Sequence, residues 1–127
     1  MAKRNEVYKC EICGNIVEVL QGGAGELVCC GEPMQLLQAK TEDEGREKHV
    51  PLVIDQAHGV LVKVGDVPHP MVDKHFIQWI EIVTPQRVYR EYLSPEQEPQ
   101  AEFCVSLDQV VLVREYCNLH GLWETTV

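Results

Sequence analysis

The sequence predicts a mainly β protein, a small metal-ligated unit followed by a β-sandwich. Three observations carry this expectation. Cys10, Cys13, Cys29 and Cys30 crowd into an N-terminal stretch too short to bury a sufficient core. From His49 onward, short apolar or alternating runs recur between turn signals, as in sandwiches. Long helical periodicity is absent throughout.

The elements can be justified in order. Tyr8-Lys9-Cys10-Glu11-Ile12-Cys13-Gly14-Asn15 reads as a strand entering a knuckle, with Gly14 and Asn15 suited to a left-handed turn. Residues 16–20 form a short apolar strand, Gly22-Gly23-Ala24-Gly25 a flexible turn, and Leu27-Val28 leads into Cys29-Cys30-Gly31. Residues 1–36 are therefore one unit, whose missing folding energy metal ligation would supply. Residues 37–48 turn sharply charged and read as a linker. The segment 49–127 is the sandwich, with strands expected over 50–54, 60–64, 76–83, 88–93, 101–105 and 110–116, and an edge over 123–127. Val60, Val62 and Val64 share one face. Thr84-Pro85-Gln86 and Ser94-Pro95 break the pattern. His58 reads as a turn residue, and Cys104, alternating within a strand, as core.

Bulk properties exclude several function classes. The chain has 127 residues, 45% of them hydrophobic, and a formal charge of −9. Such a charge, with no basic run, argues against general nucleic-acid binding and against an anionic membrane surface. No segment approaches the ~20 apolar residues of a membrane span. The polar start, Met1-Ala2-Lys3-Arg4, does not resemble a signal peptide, so a cytoplasmic protein is expected. In that reducing compartment a short-spaced cysteine cluster binds metal rather than forming disulfides.

Cys10-x2-Cys13 has the spacing that lets both sulfurs reach one ion from a tight turn. Cys29-Cys30 has no spacer, and its bite should distort the tetrahedron. Four thiolates suit iron cycling between two oxidation states, and they equally suit a purely structural ion, iron or zinc.

The second cluster differs in kind. The chain has only five histidines. His69 and His75 flank a loop stiffened by Pro68 and Pro70, and His49 begins the larger segment. Cys117-Asn118-Leu119-His120 closes a strand with a metal-ligand pair three positions apart. Any one of these histidines alone would be an ordinary surface or core residue. Four neutral imidazoles with a single thiolate, however, suit a redox-active iron with one position open for substrate.

These motifs resemble a known family. Tyr8-Lys9-Cys10-x2-Cys13-Gly14-Asn15 with Cys29-Cys30-Gly31-Glu32-Pro33-Met34 is similar to desulforedoxin and to the head of desulfoferrodoxin. Glu47-Lys48-His49-Val50-Pro51, His69-Pro70-Met71, Lys74-His75 and Arg114-Glu115-Tyr116-Cys117-Asn118-Leu119-His120-Gly121-Leu122-Trp123 are similar to the superoxide reductase domain. The resemblance covers nearly the whole chain and implies a two-iron desulfoferrodoxin: a desulforedoxin-like domain, an immunoglobulin-like β-sandwich and a homodimer. It implies one iron held by Cys10, Cys13, Cys29 and Cys30. The other, catalytic iron is held by His49, His69, His75, His120 and Cys117. The implied reaction is one-electron reduction of superoxide to hydrogen peroxide, with a rubredoxin-like or other small donor restoring the iron. Lys48 is expected to steer superoxide and order a proton-delivering water, with help from Lys74. Glu47 resembles the carboxylate that fills the sixth iron position once product has left. A pure electron carrier, or a zinc module joined to an interaction domain, would leave the histidine cluster idle.

Overall fold

The computed structural model describes residues 2–42, 49–65 and 68–127. The chain divides into two compact units, Met1–Gln38 and Ala39–Val127.

The first unit has five short strands: β1 (Val7–Lys9), β2 (Ile16–Glu18), β3 (Val28–Cys29), β4 (Glu32–Pro33) and β5 (Gln35–Leu36). β1 lies between β2 and β5, both antiparallel, with Tyr8 opposite Val17 and Leu36. β3 and β4 form a separate hairpin, Cys29 opposite Glu32. Among the described residues of this unit only Val7, Cys10 and Val19 are buried hydrophobics, whereas Ile12, Leu20 and Val28 are exposed. At about 1.5–3 kcal/mol per buried side chain, so few cannot offset the ordering entropy of the segment. The cysteines must supply the rest through metal.

The second unit is a two-layer β-sandwich. Its strands are β6 (Pro51–Gln56), β7 (Gly59–Val64), β8 (Ile77–Val83), β9 (Val88–Tyr92), β10 (Gln100–Phe103), β11 (Leu112–Cys117) and β12 (Gly121–Thr126). One sheet runs β10-β7-β6 and the other β12-β11-β8-β9, every pairing antiparallel. The expected face of Val60, Val62 and Val64 is buried and meets Ile80, Ile82, Val113 and Cys117 from the opposite sheet. His58 is exposed in the two-residue turn that joins Gln56 to Gly59. Gly59 has φ 149°, and a Cβ there would stand 2.1 Å from the Phe103 carbonyl oxygen, so β10 can cross only above a glycine.

One expectation is corrected. Cys104 is exposed, because β10 ends at Phe103 and alternation turns Ala101, Phe103 and Val105 inward instead. Of the expected linker, the Leu37 amide donates to the Val7 carbonyl within the first unit, and Lys40 bridges to Trp123 within the second.

The outer face of the four-stranded sheet carries a buried ion pair. Glu81 is fully buried and accepts from Arg114 Nε at 3.0 Å, from Arg90 Nε at 3.3 Å and from the Trp79 indole at 2.7 Å. Arg114 adds a second bond through a terminal nitrogen to the same oxygen, Oε2, while Trp79 and Arg90 share Oε1. Breaking such a pair by removing one partner costs about 3–5 kcal/mol. The network thereby fixes the register of β8 against β11, on which Cys117 depends.

Candidate metal centres

β11 delivers the thiolate. Alternation puts Val113, Glu115 and Cys117 on its inner face, and all three are fully buried. The pairing with β8 slips at the strand end: Tyr116 faces Trp79, whereas Cys117 faces Ile77. Such a bulge re-aims the side chain beside it. The next residues turn sharply, with Gly121 at φ 88°, and bring His120 back over Cys117, Nδ1 to Sγ 3.7 Å.

Three segments complete the set. His49 and His69 are buried, His75 is half-buried and His120 is exposed. The imidazoles close a square. Ring centroids are 4.5 Å apart for His49–His69, 4.7 Å for His69–His75, 5.1 Å for His75–His120 and 4.8 Å for His120–His49, each pair edge to face. The five donor atoms, Cys117 Sγ included, all lie within 4.8 Å of one another.

The ring orientations suit metal binding. His69 Nδ1–H donates to the Pro70 carbonyl at 2.7 Å, which leaves Nε2 with its lone pair toward the centre. That Nε2 stands 3.0 Å from His49 Nε2. Across that gap a neutral His49 can donate its Nε2–H to His69, and a metal in place of that proton would draw on both ring nitrogens. Four imidazoles and one thiolate fit a transition metal with six positions and leave one for an incoming ligand.

Residues around the square hold it. Trp123 stacks on His49, centroids 4.6 Å apart and planes 13° apart, and its indole donates to the His120 carbonyl at 3.1 Å. Lys40 lies 4.9 Å from the Trp123 ring centre and donates to the same carbonyl at 3.3 Å. Asn118 clamps the turn to the 74–76 segment: it accepts from the Phe76 amide and donates to the Lys74 carbonyl, both at 3.0 Å. Lys40 had been part of a charged linker by composition, and nothing local marks it as a partner of Trp123. Asn118 was legible only as a turn former. Glu47 and Lys48 lie outside the described residues.

In the first unit, the sulfurs of Cys10, Cys13, Cys29 and Cys30 also lie within 4.8 Å of one another. Separations of 3.6 Å (Cys13–Cys29) and 4.0 Å (Cys29–Cys30) are far beyond a disulfide bond. The spacerless pair is accommodated by the backbone: Cys30 sits at φ 53° and Gly31 at 77°, which turns adjacent sulfurs to one side. Gly14, at φ 85°, returns its amide to the Cys10 carbonyl. The Cys10 thiol is lowered to about 7, chiefly by the Cys13 amide. Cys30 is pushed up to about 12, first by the sulfur of Cys13 and then by that of Cys29. Four thiolates this close resist joint ionisation, and a bound cation removes that conflict. Both donor sets therefore fit iron, sulfur-only in one and mostly nitrogen in the other.

The comparisons agree over both units. The family model described as desulfoferrodoxin matches residues 41–126, and the one for the desulfoferrodoxin N-terminal domain matches residues 2–37. A desulfoferrodoxin of Syntrophotalea carbinolica is 58% identical over 125 residues, covering 98% of each chain. One from Nitratidesulfovibrio vulgaris is 54% identical over 124 residues, again 98% of each. Among solved structures, the superoxide reductase of Treponema pallidum superposes with a TM-score of 0.80 at 28% identity, covering 98% of this chain and all of that one. With two metal centres in the order of the two matched models, the chain belongs to the desulfoferrodoxin family.

Proposed function

We propose that the protein is a superoxide reductase, which adds one electron and two protons to superoxide and releases hydrogen peroxide. The observation that carries this is the square of four imidazoles beside a fully buried thiolate. Iron bound there by His49, His69, His75, His120 and Cys117 supplies the electron. The chain's own residues do the rest. Burial of Cys117 keeps water from its sulfur, and its thiolate donates electron density to the metal, favouring electron release. The exposed His120 and half-buried His75 mark the side of the square that solvent reaches.

An anion approaching a chain of charge −9 needs local attraction. Lys48, next to His49 in sequence, attracts superoxide and orders the water that delivers a proton. Lys74, beside His75, and Lys40, at the His120 carbonyl, add positive charge on the same unit. Glu47, two residues before His49 in sequence, would supply a carboxylate able to bind the iron once product has left. In this assignment residues 1–36 hold the auxiliary iron, 37–48 connect, and 49–127 perform the reaction. The reading takes the protein as a cytoplasmic homodimer, re-reduced by a rubredoxin-like or similar small carrier. Its support is the family likeness and six cysteines without a disulfide, as a reducing compartment favours.

The test is kinetic. Ferrous protein should be oxidised by superoxide in a second-order reaction that slows with added salt. Lys48→Ile should slow it and flatten that salt dependence. An unchanged rate constant in the variant would remove Lys48 from the account.

A further inference from the structure

We propose that Tyr116, Trp79 and Tyr92 form an electron-donating relay from the Cys117 end of β11 to the surface, protecting the site by reducing peroxide that attacks it. The proposal rests on the reading above only in that the site generates peroxide.

The three rings form one row across the outer face of the four-stranded sheet. Tyr116 on β11 is opposite Trp79 on β8, and Trp79 is opposite Tyr92 on β9. Tyr116, the residue before Cys117, is 3% exposed and stacks on Trp79 with centroids 4.7 Å apart and planes 10° apart. Trp79 meets Tyr92 edge to face at 6.5 Å, and Tyr92 is 70% exposed. The chain has only two tryptophans and four tyrosines, so half of its readily oxidised rings lie in this row.

A second observation concerns the middle ring of the row. The Trp79 indole N–H donates to Glu81 Oε1 at 2.7 Å, and that carboxylate is buried and paired with Arg114 and Arg90. An indole that loses an electron is left as a cation with a more acidic N–H. A buried carboxylate bonded to that N–H lies against the positive charge left on the ring and stabilises it. The same carboxylate also holds the β8–β11 register, so the feature particular to a relay is a continuous row that ends on an exposed tyrosine.

The step balances. Peroxide takes two electrons and two protons, its O–O bond breaks, and two waters form. Ferrous iron gives one electron. Tyr116, Trp79 and Tyr92 pass the second, and the Tyr92 phenol releases its proton to solvent and ends as a neutral tyrosyl radical. In normal turnover an external small reductant gives ferric iron its electron far more readily than these rings would. The row therefore acts only against a strong oxidant. A radical at the surface can be quenched by small reductants, whereas one left at Cys117 would oxidise a ligand.

The test uses the full iron-loaded chain. Ferrous protein is mixed with hydrogen peroxide, freeze-quenched and read by electron paramagnetic resonance, and Cys117 oxidation is read by mass spectrometry. The natural sequence should show a tyrosyl signal. Trp79→Phe, which keeps an aromatic ring in the stack, should lose most of it and raise Cys117 oxidation several-fold. Tyr92→Phe should leave a shorter-lived signal on the inner rings. In parallel, azide radicals made by pulse radiolysis should oxidise tryptophan, with transfer to tyrosine that slows several-fold in Tyr92→Phe. Equal radical yields and equal Cys117 oxidation in all three proteins would overturn the relay. So would absence of a peroxide-driven radical in the natural sequence, whatever the azide result. Superoxide consumption, measured separately, reports the reductase reading alone: its absence with the radical intact would sink that reading and leave the relay standing.

Discussion

Asn118 offers the sharpest test of how the fold holds its histidine site. Its side chain makes two bonds across the gap between the Cys117–His120 turn and the 74–76 segment, to the Phe76 amide and the Lys74 carbonyl. Asn118→Ala removes both and strands a half-buried amide. At about 0.5–1.5 kcal/mol per bond, the expected loss is about 2 kcal/mol. For a domain of this size that corresponds to about 10 °C in Tm. Both tryptophans, Trp79 and Trp123, lie in the second unit, so denaturant unfolding followed by their fluorescence reports that unit alone. Asn118→Asp keeps the acceptor for Phe76 but sets a second oxygen against the Lys74 carbonyl, so it should recover little of the loss. A change below about 0.5 kcal/mol in the alanine variant, or full recovery with aspartate, would refute the clamp.

Other outcomes follow from the two donor sets. Cys117→Ser replaces the only sulfur of the histidine site and should abolish its sulfur-to-iron charge-transfer absorption in the ferric protein; a surviving band would mean another ligand. Cys13→Ser breaks the four-sulfur set and should preserve the histidine site and its reaction with superoxide, since no ligand is shared. Loss of that reaction with the second iron still bound would make the first centre obligatory. Chelation of all metal should unfold the first unit and leave most of the second folded, because only the second has a continuous hydrophobic core. Amide hydrogen exchange resolves the two, and protected amides in a metal-free first unit would contradict the account.

Much of this was legible because its chemistry is local. Cys10-x2-Cys13 and Cys117-x2-His120 announce ligands by spacing, and the structure brings their distant partners to them. Strand positions from 50 onward followed from alternation, within a residue or two at most ends. Cys104 was misjudged because a single cysteine beside alternating apolar residues does not reveal its own parity. The residues that steady the site were hidden for another reason. Lys40 on Trp123, Trp123 on His49, and Arg114 on Glu81 are contacts between segments far apart in the chain. Each depends on register, and a one-residue slip would have placed different side chains opposite. The bulge at Tyr116 and Cys117 is such a slip, and no periodicity foretold it.

The central claim is reduction without dismutation, and product stoichiometry tests it most directly. Anaerobic, fully ferrous protein receives a known pulse of superoxide, and peroxide, oxygen and oxidised iron are counted. The account predicts one peroxide per superoxide consumed, matching iron oxidation and no oxygen. Half a peroxide per superoxide with oxygen released would instead make the protein a dismutase, and no reaction above background would leave it an electron carrier.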